Sequence, residues 1–384
     1  MSRLSILKNK GGMSTKTQFR LPGKLYPSNI KQHTVCFSGG KIMGGNRRGL
    51  TLFDETTMKE IRRYDDLKVE SAIGVRDGYF FYDLEACVFK VDITTGKSTE
   101  YPGGKVDEEM WPIVELSDGK WVMFSENEEE ERENICLVTD LETARVEWDY
   151  PGENLSLFGV VFSSNLLITD DEKIMSLDLQ DGTVNWTKNV DDFVVVENLD
   201  TSSFESEVYC YDGIAVTMAQ ANKGTYYIVG LDACTGERLW CNETRRGSKG
   251  LLSPNGLYIN MNTTIIEYYD IKTGEILKSF PLSMGEYFPR NGSEPGGIHD
   301  IEVTDTHLWS GWTGMGGGSG LLAAHDIETG ELAYTHQFDC EITGVFIRNN
   351  RIFLDTLNPG TLDTGPMATS TFYLEGAGGY IPDE

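Results

Sequence analysis

A short turn sequence recurs along this chain and limits its possible folds more than any other feature. In five copies an aspartate follows an apolar run, and a glycine follows the aspartate four residues later, at Gly96, Gly182, Gly236, Gly274 and Gly330. Two weaker copies run from Asp54 to Met58 and from Asp140 to Ala144. Repetition at intervals of a few tens of residues is typical of repeat architectures in which one small unit is copied.

The spacing within each copy has a physical cause. A hairpin of three to five residues built on a type I turn needs one residue with a left-handed backbone, and glycine adopts that conformation without a Cβ penalty. The aspartate carboxylate accepts hydrogen bonds from the N–H groups of the turn. Each copy therefore predicts one β-hairpin. Four units also have a large aromatic residue four positions after the glycine position, which we expect to pack between neighbouring sheets: Trp148, Trp186, Trp240 and Tyr334.

An eighth, truncated copy ends the chain, with an apolar run from Thr371 to Glu375 and Gly379 four residues later. The segment from Thr15 to Leu21 belongs to no other unit, so we expect it to supply the missing outer strand and to close the ring, which removes an exposed sheet edge. The predicted third strands then end at Asp54, Asp92, Asp140, Asp178, Asp232, Asp270, Asp326 and Glu375.

These units predict an all-β, eight-bladed β-propeller with four strands in each blade. Seven blades with an irregular tail are the alternative. The 42 glycines, with Tyr, Trp, Val, Ile and Thr spread evenly along the chain, agree with many short strands and tight turns. We expect a flexible tail over residues 1–14 and a single propeller domain over residues 15–384.

The run from Asp232 to Trp240, Asp-x-x-Thr-Gly-x-x-x-Trp after an apolar strand, resembles the repeat of the pyrroloquinoline-quinone (PQQ) type propellers. The resemblance covers the chain from about Thr15. This quinoprotein-like superfamily includes exported dehydrogenases, which bind calcium beside the quinone and often stack a vicinal disulfide on it, and an outer-membrane assembly lipoprotein of similar size. The present chain has no Cys-Cys pair, no export signal and no lipobox cysteine, so we expect neither the cofactor nor the lipoprotein's role.

Charge narrows the choice of partners. The chain has 60 acidic and 33 basic residues and a formal net charge of −27. Such a field repels nucleic acid and anionic membranes. It suits a basic protein partner, and a bound cation or solubility alone are the alternatives. The most acidic segment is Ser125 to Asn134, within a predicted hairpin, and its candidate binding residues are Glu126, Glu128, Glu129, Glu130, Glu131 and Glu133. A solvated loop tip is the alternative interpretation of this segment.

The seven cysteines are odd in number and form no metal-ligand pattern with histidine, so we expect reduced thiols and no metal. The N-terminus has no apolar signal segment, and no later stretch approaches eighteen apolar residues. These features predict a cytoplasmic monomer.

Three functional hypotheses follow. The first is a non-catalytic scaffold that binds another protein, such as a basic toxin that it neutralises. The second is a lyase, hydrolase or dehydrogenase that acts on a small polar substrate at the central channel, with His299, Asp300 and Glu302 on a predicted innermost strand as its candidate catalytic residues. The third is carbohydrate binding by exposed aromatics such as Trp309 and Trp312. The alternative role of these two residues is packing between blades. Trp312 is also a candidate binding residue for the scaffold.

Overall fold

The structure is a computed structural model, and it consists of β-strands joined by turns. It describes residues 25–27, 34–38, 40–46, 49–54, 57, 59–67, 71–76, 79–84, 87–102, 109–116, 120–127, 132–140, 145–152, 155, 159–170, 172–193, 202–221, 225–244, 249–253, 256–282, 295–304, 306–314, 320–338, 341–348, 351–357 and 372–375. Within these ranges the one helical element is a 3-10 turn at Val190–Asp192. No helix of the described ranges is long and apolar enough to cross a membrane.

The strands are short and follow one another closely. In chain order they are β1 (Leu25–Pro27), β2 (Thr34–Ser38), β3 (Lys41–Asn46), β4 (Gly49–Asp54), β5 (Glu60–Tyr64), β6 (Ser71–Arg76), β7 (Tyr79–Leu84), β8 (Cys87–Asp92), β9 (Ser98–Pro102), β10 (Glu109–Glu115), β11 (Trp121–Asn127), β12 (Arg132–Asp140), β13 (Arg145–Gly152), β14 (Val160–Phe162), β15 (Asn165–Thr169), β16 (Lys173–Asp178), β17 (Val184–Asn189), β18 (Ser202–Tyr211), β19 (Ile214–Ala221), β20 (Tyr226–Asp232), β21 (Arg238–Thr244), β22 (Lys249–Leu252), β23 (Leu257–Met261), β24 (Ile265–Asp270), β25 (Ile276–Pro281), β26 (Pro295–Val303), β27 (His307–Gly314), β28 (Gly320–Asp326), β29 (Leu332–Phe338), β30 (Glu341–Arg348), β31 (Arg351–Leu357) and β32 (Phe372–Glu375).

Hydrogen bonds join the described strands into eight antiparallel sheets of four strands each. One compact unit, Thr34–Arg246 with Ile271–Glu275, contains the sheets β2–β5, β6–β9, β10–β13, β14–β17 and β18–β21. The described strands of the other unit form β22–β25, β26–β29 and a sheet of order β1-β32-β31-β30. In seven sheets the strands pair in sequence order, which is what short hairpin connections produce.

The sheet that contains β32 takes its outer strand from the other end of the chain. Leu25, Tyr26 and Pro27 pair with Leu374, Tyr373 and Phe372. The segment Thr15 to Leu21, predicted for this place, lies outside the described residues, and the described partner of β32 begins at Leu25 instead. Residues 1–14 also lie outside the described part of the chain.

The repeat predicts strand ends closely. All eight anchor positions, seven aspartates and Glu375, are the last residues of the third strands: β4, β8, β12, β16, β20, β24, β28 and β32. In the unit built on Asp270, the four strands that the repeat predicts are β22, β23, β24 and β25. The anchor residue therefore marks the end of the third strand in each sheet.

The turns have the expected geometry at four well-described copies. The glycine N–H donates to the aspartate carbonyl four residues earlier at 2.7–2.8 Å, and glycine φ lies between 69° and 74°. The aspartate Oδ1 accepts the N–H two residues later at 2.7–2.9 Å. The aspartates concerned are Asp92, Asp178, Asp232 and Asp326.

Each predicted tryptophan lies on the glycine turn of the following repeat. A Cβ added at Gly182, Gly236 or Gly274 would lie 2.5–2.7 Å from the indole of Trp148, Trp186 or Trp240. Each indole Nε1 also donates to a turn carbonyl, at 2.8–3.2 Å, and such a bond contributes about 1 kcal/mol.

Two further aromatics occupy the same kind of place without being predicted. Tyr64 lies on Gly96 and Phe280 lies on Gly330. Both follow their glycine position by six residues instead of four, which leaves them on the same face of the strand, because side chains alternate with a period of two. Tyr334, the fourth predicted aromatic, packs against Trp309 with ring centroids 5.8 Å apart.

Candidate functional site

The acidic segment forms a hairpin, as predicted. β11 and β12 pair from Trp121 with Val138 up to Asn127 with Arg132, the last described pair. Glu126 and Glu133 are in these strands, and Glu128, Glu129, Glu130 and Glu131 lie between the strands and outside the described residues. The structure therefore places both ends of the acidic segment in one hairpin.

The register aligns three glutamates across this sheet. Glu109 of β10 is opposite Glu126 of β11, which is opposite Glu133 of β12. Like charges at directly opposite positions of an antiparallel pair destabilise it, by a few tenths of a kcal/mol to about 1 kcal/mol for each pair. In sequence, the row is followed by the four glutamates of the connection between β11 and β12. The sequence shows the run of glutamates, but the alignment with Glu109 depends on a pairing register that the sequence does not specify.

The candidate catalytic residues lie on β26, the first strand of its sheet. The pairing of β26 with β27 shifts between Ile298 and Asp300, so His299 is the extra residue of a β-bulge, and it is exposed. Bulges redirect side chains and are over-represented beside functional sites.

Both carboxylate oxygens of Asp300 accept hydrogen bonds from backbone N–H groups. Its Oδ1 accepts the N–H of Ile301 and its Oδ2 accepts the N–H of Val345 on β30, both at 2.9 Å. This carboxylate thus joins β26 to the next sheet of the same unit. Glu302 is half-buried and pairs with Trp309 across the strands. In the ranges that the structure describes, no group of three His, Cys, Asp or Glu residues is arranged to hold a metal ion.

The aromatic candidates on β27 are buried. Trp309 and Trp312 are both 0 % exposed. They lie three residues apart and so on opposite faces of the strand, in two different core clusters. The expectation of exposed aromatics here, including Trp312 as a binding residue, is wrong. Both faces of β27 are covered, and the two tryptophans pack in the core.

Sequence reasoning missed two buried histidines in the same sheet. His307 is 3 % exposed and His325 is 1 % exposed. His325 occurs within a repeat copy, just before Asp326, at a position that is apolar in the other strong copies. That difference was the signal that could have identified it.

The comparisons with known proteins bear on the fold. No family model and no curated protein matches this chain. Among solved structures, BamB from Moraxella catarrhalis is similar with a TM-score of 0.56 at 13% identity, over 92% of this chain and 96% of that one. A europium-containing methanol dehydrogenase has a TM-score of 0.56 at 12% identity, over 94% and 93% of the two chains. The dihydro-heme d1 dehydrogenase NirN, in complex with DHE, has a TM-score of 0.52 at 14% identity, over 82% and 69%.

These neighbours are PQQ-like β-propellers. The present chain has that fold. The predicted resemblance to quinoprotein-like propellers is therefore confirmed at the level of fold. Two of the three neighbours are named as dehydrogenases and one is not, and a shared fold does not transfer a function between such distant chains.

Proposed function

We propose that this β-propeller is a non-catalytic scaffold that binds a basic protein through the acidic hairpin β11–β12 and the adjoining end of β10. The observation that supports the proposal best is the row of Glu109, Glu126 and Glu133, which continues into the four glutamates between β11 and β12. A cationic toxin or nuclease, with a concentrated positive surface, is the class of partner that fits.

Repulsion within the row gives the physical argument. Opposed carboxylates cost stability in the free protein. A partner that brings lysine or arginine to this end of the sheet removes that cost and adds charge-assisted hydrogen bonds. The net charge of −27 adds long-range attraction, which increases the association rate with a basic partner. Both effects weaken as salt screens the charges.

The architecture proposed with this function is a single eight-bladed ring of the eight observed sheets. The pairing of β1 with β32 supports closure of the ring, because it joins strands from the two ends of the chain in one sheet. A closed ring is a rigid support for loops, and binding residues on loops need such a support. We further propose that the protein works as a cytoplasmic monomer without a cofactor, and the absence of a Cys-Cys pair supports the last point.

The test compares two variants of equal charge. The hairpin variant changes Glu126, Glu128, Glu129, Glu130, Glu131 and Glu133 to glutamine. The control variant changes six exposed glutamates elsewhere to glutamine: Glu60, Glu172, Glu237, Glu275, Glu328 and Glu331. Both variants lose six negative charges, so they alter the overall field equally.

The partner is first captured from lysate of the native host at low salt, identified by mass spectrometry and purified. Its affinity for the wild type and both variants is then measured at low and high salt. Exposed ion pairs contribute about 0.5 kcal/mol each, so we expect the hairpin variant to lose on the order of 10- to 100-fold in affinity. The control should lose less than about threefold. Equal losses in both variants would show that only the overall charge matters, and no loss in the hairpin variant would refute the site.

A second candidate function has one supporting observation, the exposed His299 on its bulge. If the propeller is instead an enzyme for a small polar substrate, His299 is its best-placed proton acceptor. Retention of a metabolite by the purified protein, lost on His299→Ala substitution, would favour this function over the scaffold.

A further inference from the structure

Two histidines are buried within the sheet β26–β29. His307 begins β27 and His325 is the last residue but one of β28. Imidazole is rarely buried to this extent without a polar partner or a metal. The residues around the two imidazoles determine whether their protonation is favoured or opposed in the folded protein.

His307 has polar neighbours. It pairs across the strands with Asp326, and its Nδ1 lies 2.8 Å from the Thr306 Oγ1. Its ring centroid is 6.3 Å from that of Trp309. Asp326 favours a protonated His307, but this carboxylate already accepts the N–H groups of Glu328 and Thr329 in the turn.

His325 has an apolar environment. It is opposite Leu308 of β27 and Leu332 of β29, and strand partners of this kind share a face. Leu308 belongs to the core cluster that also contains Tyr268, and the partly buried Leu332 packs against that cluster. The Nδ1 atom of His325 is buried and has no hydrogen-bond partner. A proton on this ring would place a charge in this apolar environment.

Among the described residues, the ionisable groups on the strands around the pair include Asp326 on β28, Tyr268 on β24 and Tyr334 on β29. Glu302 on β26 is a further one, because it is opposite Trp309, whose ring lies beside that of His307. Burial lowers the pKa of His307, and Asp326 opposes this effect. Burial, with a smaller contribution from His307, lowers the pKa of His325 to about 4.

We propose that the sheet β26–β29 is an acid-sensitive element, in which proton uptake by His325 and His307 favours a locally opened form. The direction follows from linkage. An opened strand exposes imidazole with its ordinary pKa near 6.5, so the open form binds more protons than the closed form between pH 6.5 and 4. The stability that neutral histidines provide is complete above pH 6.5 and is lost progressively as the pH falls to about 4. This inference is independent of the proposed partner site on β10–β12.

Hydrogen exchange followed by mass spectrometry on the full chain tests the proposal. From pH 7 to pH 5, after correction for the intrinsic pH dependence of exchange, His325 alone should raise the open population of β27 and β28 peptides about 20-fold. Peptides from β15 and β16, whose described residues include no histidine, report the background. His325→Leu should remove most of the effect, and His299→Gln, a change at an exposed histidine, should leave it intact.

A titration of the wild type covers the case in which His325→Leu does not fold. Exchange of the imidazole C2 hydrogen, also followed by mass spectrometry, gives the protonation midpoint of each histidine. We expect the midpoint of His325 to lie well below the ordinary value for imidazole. A midpoint for His325 near 6.5 while β27 and β28 keep their protection would overturn the proposal, as would equal loss of protection in β15 and β16.

Discussion

Replacement of Gly236 by alanine should destabilise the protein more than the same replacement at Gly40. The two glycines have nearly the same left-handed backbone, with φ of +69° and +72°. Their surroundings differ. A Cβ at Gly236 would lie 2.6 Å from the indole of Trp186, whereas a Cβ at Gly40 would have nothing within 4 Å. The pair therefore separates the backbone requirement for glycine from the packing requirement.

The magnitudes follow from two effects. A left-handed conformation costs alanine about 1–2 kcal/mol, and the reduced freedom of the unfolded chain returns about 0.4–1 kcal/mol. We therefore expect a loss of about 1 kcal/mol for Gly40→Ala. Overpacking of a tight contact adds about 1–3 kcal/mol, because the indole must move and its bond to the Ala233 carbonyl lengthens or breaks. Gly236→Ala should then lose about 3 kcal/mol.

Urea denaturation with both fluorescence and circular dichroism measures these losses and shows whether the transitions coincide, as the free energies require. The double variant Gly236→Ala with Trp186→Leu provides the critical comparison. If the clash is the cause, the second substitution should reduce the effect of the first to that seen at Gly40. Equal losses at Gly236 and Gly40, or additive losses in the double variant, would refute the packing argument.

Three other predictions concern single contacts. Asp300→Ala removes the acceptor of the Val345 N–H and should lower the free energy of unfolding by about 1–3 kcal/mol. A thermal melt that matches the wild type would show that this hydrogen bond does not contribute to stability. Trp148→Phe keeps the ring contact but loses the indole hydrogen bond, so urea denaturation should show a loss of about 1 kcal/mol. Burial raises the pKa of the Cys210 thiol to about 11. Its alkylation by iodoacetamide should therefore be slow at pH 8 and increase tenfold per pH unit up to about pH 11, while the exposed Cys234 reacts at once. Peptide mapping distinguishes the two cysteines, and similar rates at pH 8 would contradict the burial argument.

The repeat made the strands and their ends predictable because a turn is a local structure. The spacing from Asp232 to Gly236 determines a backbone conformation, and that conformation determines where β20 stops and β21 starts. The same repetition predicted that Trp186 packs against a neighbouring sheet, and the structure adds that its indole lies on this turn. Local chemistry and the global fold agree at these positions, which is why the sequence was sufficient there.

The candidate site was less predictable because it depends on contacts between distant residues. Nothing in the residues near Asp300 shows that its carboxylate accepts the N–H of Val345, forty-five residues away. The same holds for Trp312, whose burial depends on the strands around β27. For the acidic hairpin the strand pairing was predictable, but the alignment of Glu109 with Glu126 required a register across separate hairpins.

The contact between an aromatic residue and the next glycine turn determines where the sequence can acquire insertions during evolution. In these contacts the indole of one repeat packs on the turn that follows the third strand of the next repeat, as Trp148 does on Gly182 and Trp186 on Gly236. The connection between the second and third strands takes no part in these contacts. Its length can therefore grow at a small cost in loop-closure entropy, about 0.6 kcal/mol for each doubling. The glutamate-rich segment between β11 and β12 occupies this kind of connection, so new recognition sequences can be inserted there while the contacts between repeats stay the same.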